Sequence, residues 1–219
     1  MKTPHFNVVI ATPGSAMEVE YVKSLVETVK WLTEQGLTYH FISRYSSFVS
    51  SAREKTATDS DEHDWEATEI ADGRFTYDNL VWIDSDVSWT PENFAQLIEQ
   101  NLDIVSAVVP ATLGGALTAM RLDANGHPKQ LTWADLALDA EPVEVDGVGF
   151  GMVCFKYGVF EGTKRPWFQI RKANISTAHY PIDYGEDYSA CINFKESGYK
   201  IWMHPLVRVG HVKKMVMTV

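Results

Sequence analysis

The order of apolar runs near the N-terminus constrains the fold more than any other feature of the chain. His5 to Ala11 (HFNVVIA) is a short apolar run that stops at Thr12-Pro13-Gly14, the pattern of a buried strand entering a turn. Ser15-Ala16-Met17-Glu18 follows with capping-box spacing, and Val22, Leu25, Val26, Val29 and Leu32 then share one face of a helix that Gly36 can end. Leu37 to Ser43 returns to strand texture. Strand, helix and strand in that order make a βαβ unit with a right-handed crossover. Its parallel strands leave their C-terminal ends along one sheet edge, where ligands bind in open α/β sheets.

The rest of the chain divides by texture. A short helix is expected near Phe48 to Thr56, then an exposed loop through the acidic stretch from Asp59 to Glu66. Asn79 to Ile83 (NLVWI) is a buried strand running into Asp84-Ser85-Asp86, Thr90-Pro91 caps a helix reaching about Asn101, and Ile104 to Val109 is another buried strand. From Pro110 onward the pattern is mixed. A hairpin is expected around Asn125-Gly126, a glycine-rich extended segment over Val143 to Phe155, a helix from Tyr184 to Ser197 stopped by Gly198, and short strands at Ile201 to Met203 and Leu206 to Val209. No linker divides the chain, so residues 1–219 read as a single domain.

Charge narrows the function classes. Nineteen Lys and Arg against 29 Asp and Glu give a net charge of −10, which argues against coating nucleic acid by general electrostatics. Local basic clusters at Lys164 to Lys172 and at Arg208, Lys213 and Lys214 keep a local basic site open. Cys154 and Cys191 form no CxxC and read as two buried thiols of a reducing compartment. No apolar run reaches the roughly 18 residues of a membrane span, and Met1 to Ile10 lacks signal-peptide texture, so the expected location is the cytoplasm.

The chemistry gathers around Asp84-Ser85-Asp86. Two carboxylates one residue apart, at the C-terminal end of an apolar strand, suit a hard divalent cation that keeps open positions for phosphate oxygens. The string NLVWIDSDVSWTPENFAQLIEQNLDIVSAVVP resembles the central part of GT-A-type nucleotide-sugar glycosyltransferases, in which a D-x-D ends a strand and an aromatic, T/S-P-E, a helix and a D-I/V-V strand follow. Ser51-Ala52-Arg53 upstream resembles the family's small-Ala-Arg element. Downstream, Val145 to Gly151 resembles its glycine-rich strand, Val159-Phe160-Glu161 with Pro166-Trp167-Phe168 its sequel, and Gly185-Glu186-Asp187, Gly198 to Ile201 and Gly210-His211 the closing blocks. These blocks cover most of residues 45 to 212.

The resemblance implies an α/β GT-A fold, a Rossmann-like, mostly parallel sheet flanked by helices with a mixed second half. Residues 1–110 would be the nucleotide-binding half and 111–219 the acceptor and catalytic half. It implies a glycosyltransferase, a hexosyltransferase by preference, that moves a sugar from a nucleoside-diphosphate sugar to an acceptor hydroxyl with Mn2+ or Mg2+. Asp86 would ligate the metal directly, with Asp84 nearer the ribose or holding metal through water, and His211 as a further ligand. Thr12, Pro13, Arg53, Asp84, Ser85 and Gly149 would contact the donor. As in inverting members, Asp187 would be the base that takes the acceptor proton, with Glu186 as its neighbour or alternative; in a retaining enzyme the same carboxylates would orient acceptor or donor. Each has a plainer reading: turn aspartates, a solvated Arg, a bulged glycine strand, acids favoured in a helix's first turn, and Trp167 and Phe168 as core aromatics rather than an acceptor platform.

Two other functions compete. A nucleotidyltransferase making nucleotide sugars would carry a glycine-rich G-x-G-T-R type loop after the first strand, and Ala11 to Ser15 lacks it. A non-catalytic sugar-binding module would be expected to have lost one of Asp84, Asp86, Asp187 and His211. There is no phosphate loop, GxGxxG or G-x-S-x-G elbow. The acceptor stays open between a saccharide, a protein hydroxyl and a modified nucleic-acid base, as does the oligomeric state.

Overall fold

The computed structural model describes residues 2–62, 66–113, 115–136, 141–173 and 182–214. The first half runs β1 (His5–Ala11), α1 (Val19–Glu34), β2 (Tyr39–Ile42), α2 (Val49–Thr58), β3 (Thr76–Ile83), β4 (Val87–Ser88), α3 (Pro91–Ile98) and β5 (Ile104–Val108). A hairpin of β6 (Ala116–Leu122) and β7 (Pro128–Thr132) follows, then β8 (Val143–Val145), β9 (Gly147–Val148) and β10 (Met152–Lys156). The chain continues through β11 (Lys172–Ala173), β12 (Ile182–Asp183), α4 (Glu186–Glu196), β13 (Ile201–Arg208) and β14 (Gly210–His211).

The main sheet has seven strands in the order β2-β1-β3-β10-β5-β13-β8. β2, β1 and β3 pair in parallel, as do β5 and β13, while β10 lies antiparallel between β3 and β5 and β8 antiparallel on β13. The expected βαβ opening and the mostly parallel sheet are therefore present. A second sheet, β7-β6-β9, and the short pair β14-β4 sit beside the C-terminal end of β3.

Both faces of the sheet are buried, as expected for inner strands of an α/β sheet. On one face Val8, Ile10, Val81, Ile83, Met152 and Cys154 pack with Tyr21 and Leu32 of α1 and Phe94 and Leu97 of α3. Alternate residues of the same strands, Val9, Ala11, Leu80, Trp82, Val153 and Phe155, face the other way into an aromatic cluster of Phe150, Phe160, Trp167, Phe168 and Phe194. Trp82 and Phe168 lie 5.2 Å apart, and Phe160 meets Phe194 edge-on at 5.1 Å, spacings that add to the burial energy of the rings. Among the described residues no helix is long and apolar enough to cross a membrane.

Four expectations need correction. The capping box at Ser15 to Glu18 does not form: α1 begins at Val19 and Glu18 makes no side-chain cap bond, because its N–H donates to Ser85 O at 3.0 Å and pulls this stretch out along the loop after β3. The buried face of α1 is Tyr21, Ser24, Thr28 and Leu32, whereas Val22 and Val26 are exposed. Trp89 decides that rotation, since its N–H donates to Ser24 Oγ at 2.9 Å, its indole N–H to Thr28 Oγ1 at 2.8 Å, and its ring packs on Tyr21. The last two short strands are one strand, β13, with a register irregularity between Met203 and Arg208. The glycine-rich segment from Val143, in turn, is three strands serving two sheets.

Candidate active site

β3 delivers the D-x-D. Asp84 N–H donates to Gly151 O at 3.0 Å, and Val87 N–H closes a turn on Asp84 O at 3.1 Å, so the acids leave the sheet at its ligand edge. β4 then pairs antiparallel with β14, which sets His211 opposite Val87, and Val212 N–H donates to Asp86 O at 2.8 Å. A Cβ at Gly210 would meet Ser88 Oγ, which would have to turn away. Asp86 and His211, 125 residues apart in sequence, thereby meet with Nε2 3.1 Å from Oδ2.

The protonation of this pair is informative. His211 Nδ1–H donates to Pro110 O at 2.8 Å, which leaves Nε2 as the nitrogen facing the carboxylate. A bare Nε2 against a carboxylate oxygen is repulsive, so a proton or a cation belongs between them. The Asp86 hydrogen bond raises the His211 pKa against the opposing effect of burial. Burial alone would raise Asp86, but His211 and Lys213, whose Nζ lies 3.2 Å from Oδ2, hold it below the ordinary carboxylate value. A carboxylate and an imidazole nitrogen converging in this way suit a divalent ion such as Mn2+. Among the described residues no group of three His, Cys, Asp or Glu side chains is placed to hold a metal.

The third residue expected to hold metal is engaged elsewhere. Asp84 accepts from Arg53 Nη1 at 3.0 Å and Nη2 at 3.2 Å, while Arg53 Nε donates to Glu186 Oε1 at 3.0 Å. Arg53 is 4% exposed and lies over the rings of Phe150 and Trp82 at 5.4 and 5.9 Å. It does not present the free fork expected for a diphosphate; it ties β3 to the first turn of α4. Burial would lower its pKa, but Asp84, Asp187 and Glu186 outweigh burial and hold it above its ordinary value. Burial pushes Asp84 up, and Arg53 offsets part of that.

Asp187 follows in the same helical turn. Its Oδ1 accepts Tyr188 N–H at 2.8 Å, and its Oδ2 lies 3.3 Å from where a Cβ on Gly149 would sit. Gly149 N–H in turn donates to Thr118 O at 2.5 Å. The approach of β9 to β6 and α4 thus excludes a side chain at 149. Burial, with Glu186 and Asp84 adding to it and Arg53 opposing, pushes the Asp187 carboxyl up to about 6, a value suited to a proton acceptor near neutral pH.

Two clefts meet at these residues. The first, about 470 Å3, is lined by Pro13, Gly14, Tyr45, Arg53, Asp84, Ser85 and Asp86 among others. The second, about 320 Å3, is lined by Asp84, Asp86, Gly149, Asp187, Tyr188 and His211 with Thr118, Gln130 and Lys213. Asp84 and Asp86 form their shared wall. Of the residues expected at the donor, Pro13, Ser85, Arg53 and Asp84 line the first cleft and Gly149 the second. Thr12 is fully buried, with its hydroxyl on Tyr21, and lines neither cleft.

Sequence reasoning missed Tyr45, Thr118, Gln130 and Tyr188, which belong to no motif. It also set Lys213 in a basic cluster rather than on Asp86. The basic clusters are largely neutralised: Arg165 meets Glu54 at 3.0 Å, Arg171 meets Glu196 at 2.7 Å and Lys214 meets Glu18 at 2.8 Å. Trp167 and Phe168 are fully buried, core aromatics rather than an acceptor platform.

No family model matches the chain, and no curated protein sequence matches it. Solved structures do. The crystal structure of A197 from STIV is similar at 17% identity and a TM-score of 0.50, covering 97% of each chain. The catalytic domain of Drosophila β1,4-galactosyltransferase 7, in complex with xylobiose, is similar at 11% identity and a TM-score of 0.50, covering 96% of this chain and 71% of that one. Identities this low speak to the fold, and with the sheet order above they show that the chain has a GT-A-type α/β fold.

Proposed function

We propose that this protein is a metal-dependent glycosyltransferase that moves a sugar, a hexose by preference, from a nucleoside-diphosphate sugar to an acceptor hydroxyl. The observation that carries the reading is the pair of clefts sharing Asp84 and Asp86 as one wall, with Asp187 facing the second cleft. Residues 1–219 act as one domain. The half up to residue 110 supplies Pro13, Arg53, Ser85 and the D-x-D, and the remainder supplies Gly149, Glu186, Asp187 and His211.

In this reading the first cleft takes the nucleotide, with Tyr45 and Pro13 beside the base and ribose and Ser85 near the diphosphate. Asp86 and His211 would hold Mn2+ or Mg2+, which when bound neutralises charge developing on the diphosphate leaving group. The sugar's reacting carbon lies over the shared wall, between the clefts. Asp187 accepts the acceptor hydroxyl proton on Oδ2, the oxygen left free by Tyr188 N–H. Arg53 is engaged by Asp84 and Glu186, which leaves the Asp187 carboxylate without a guanidinium hydrogen bond.

The test is a donor panel of UDP, GDP and CDP sugars incubated with the intact chain and Mn2+, reading release of the nucleoside diphosphate. The expected result is turnover of one donor that stops on chelation with EDTA. A panel with neither turnover nor metal-dependent binding contradicts the reading.

A further inference from the structure

We infer that the second cleft is a subsite for a neutral saccharide acceptor, recognised by Thr118, Gln130 and Tyr188. The inference rests on the transferase reading above and narrows its acceptor to one chemical class.

Three polar side chains converge there on Asp187 from different elements. Thr118 is on β6; its backbone is used on both sides, N–H to Val109 O at 2.9 Å and C=O from Gly149 N–H, while its hydroxyl has no partner among the described residues and lines the cleft. Gln130 comes from β7, across the hairpin. Its Nε2 donates to Leu117 O at 2.8 Å, which fixes the amide plane and leaves Oε1 as an acceptor at the cleft mouth. Tyr188 follows the proposed base on α4, and its hydroxyl likewise has no partner among the described residues. Donors and acceptors lining the same cleft as the proposed base suit the hydroxyls of a sugar ring, each of which both donates and accepts.

Size and charge favour a single sugar ring. About 320 Å3 is at the low end of ligand clefts and suits one ring. Asp84, Asp86 and Asp187 all face it, while Lys213 is held on Asp86 and Arg165 and Arg171 pair with acids elsewhere. Apart from the proposed cation position, the described lining of the cleft therefore offers no cationic track of the kind that a nucleic-acid acceptor's phosphates need.

Saturation-transfer NMR on the intact chain tests this with methyl glycosides of glucose, galactose, mannose and xylose, a serine-containing peptide and a short single-stranded DNA as probes, and with UDP, GDP and CDP plus Mn2+ in parallel. At least one glycoside is expected to bind, and neither the peptide nor the DNA. Gln130→Ala, at an exposed position, and Thr118→Val should each weaken that glycoside about tenfold, roughly one lost hydrogen bond, with circular dichroism establishing that both fold. Glycoside binding within twofold of wild type in both variants overturns the inference, as does binding of peptide or DNA in place of a glycoside. Nucleotide binding without any glycoside binding overturns the subsite and leaves the transferase reading standing. Glycoside binding without nucleotide binding does the reverse.

Discussion

At the scale of single residues, Asp187 joins electrostatics to activity most tightly. Its carboxyl is raised to about 6 by burial and its acidic neighbours, so turnover should rise with pH through about 6 as the base ionises. The same shift has a stability sign. A carboxyl held above its unfolded value favours the folded state at low pH, and that advantage is lost as pH climbs from about 4 through about 6. Asp187→Asn should therefore cut turnover by about 100-fold or more while stabilising the fold at pH 8 by about 1–3 kcal/mol, with no gain at pH 3.5. Urea titrations at the two pH values and a pH–rate profile check both halves. Gly149→Ala is a steric counterpart: its Cβ would sit 2.9 Å from Thr118 Cβ, and we expect about 1–3 kcal/mol of destabilisation with a loss of turnover. A variant as stable and active as wild type would show that the close approach is not needed. Asp86, Asp187 and His211 were legible because ordered motif blocks mark them. Thr118, Gln130 and Tyr188 were not, since a Thr, a Gln and a Tyr acquire a role only when the hairpin and α4 bring them onto one acid.

At the scale of elements, the site is assembled by tertiary contacts that no local pattern announces. β1, β3 and α3 form where their apolar runs lie, and Thr90 forms its capping box with Asn93. α1 departs from its apparent apolar face because Trp89 needs the hydroxyls of Ser24 and Thr28, a demand set 61 to 65 residues away. α2 was legible as a helix, but not its purpose. It is joined to β3 and α4 through Arg53, and to the loop before β11 through Glu54, which accepts from Arg165 and from Phe168 N–H at 2.8 Å. Removing one partner of a buried charge network leaves the others uncompensated. Arg53→Ala should accordingly lower stability by about 3–5 kcal/mol, read as a lower urea midpoint at unchanged slope. A loss under about 1 kcal/mol would mean that Asp84 and Glu186 are hydrated in solution rather than held by Arg53.

At the scale of the whole molecule, the excess of 29 acids over 19 bases divides into two populations. Asp84, Asp86, Glu186 and Asp187 converge on one edge of the sheet, although a hundred residues separate the first pair from the second. The remainder is mostly solvated surface and partners for Lys and Arg. The sheet order explains why the convergence occurs: β10 inserts between β3 and β5, so Gly149 to Gly151 arrive beside the D-x-D, and β14 closes on β4 to bring His211 over Asp86. In the proposed function Asp86 and His211 form a single cation site at the wall between two clefts. The most direct measurement is Mn2+ binding followed by electron paramagnetic resonance in the presence of UDP or GDP, for wild type, Asp86→Ala and His211→Ala. Wild type should remove free Mn2+ from the spectrum, and each substitution should weaken that binding at least about tenfold. Wild-type binding undiminished in both variants, or no Mn2+ binding by wild type with either nucleotide, would contradict it.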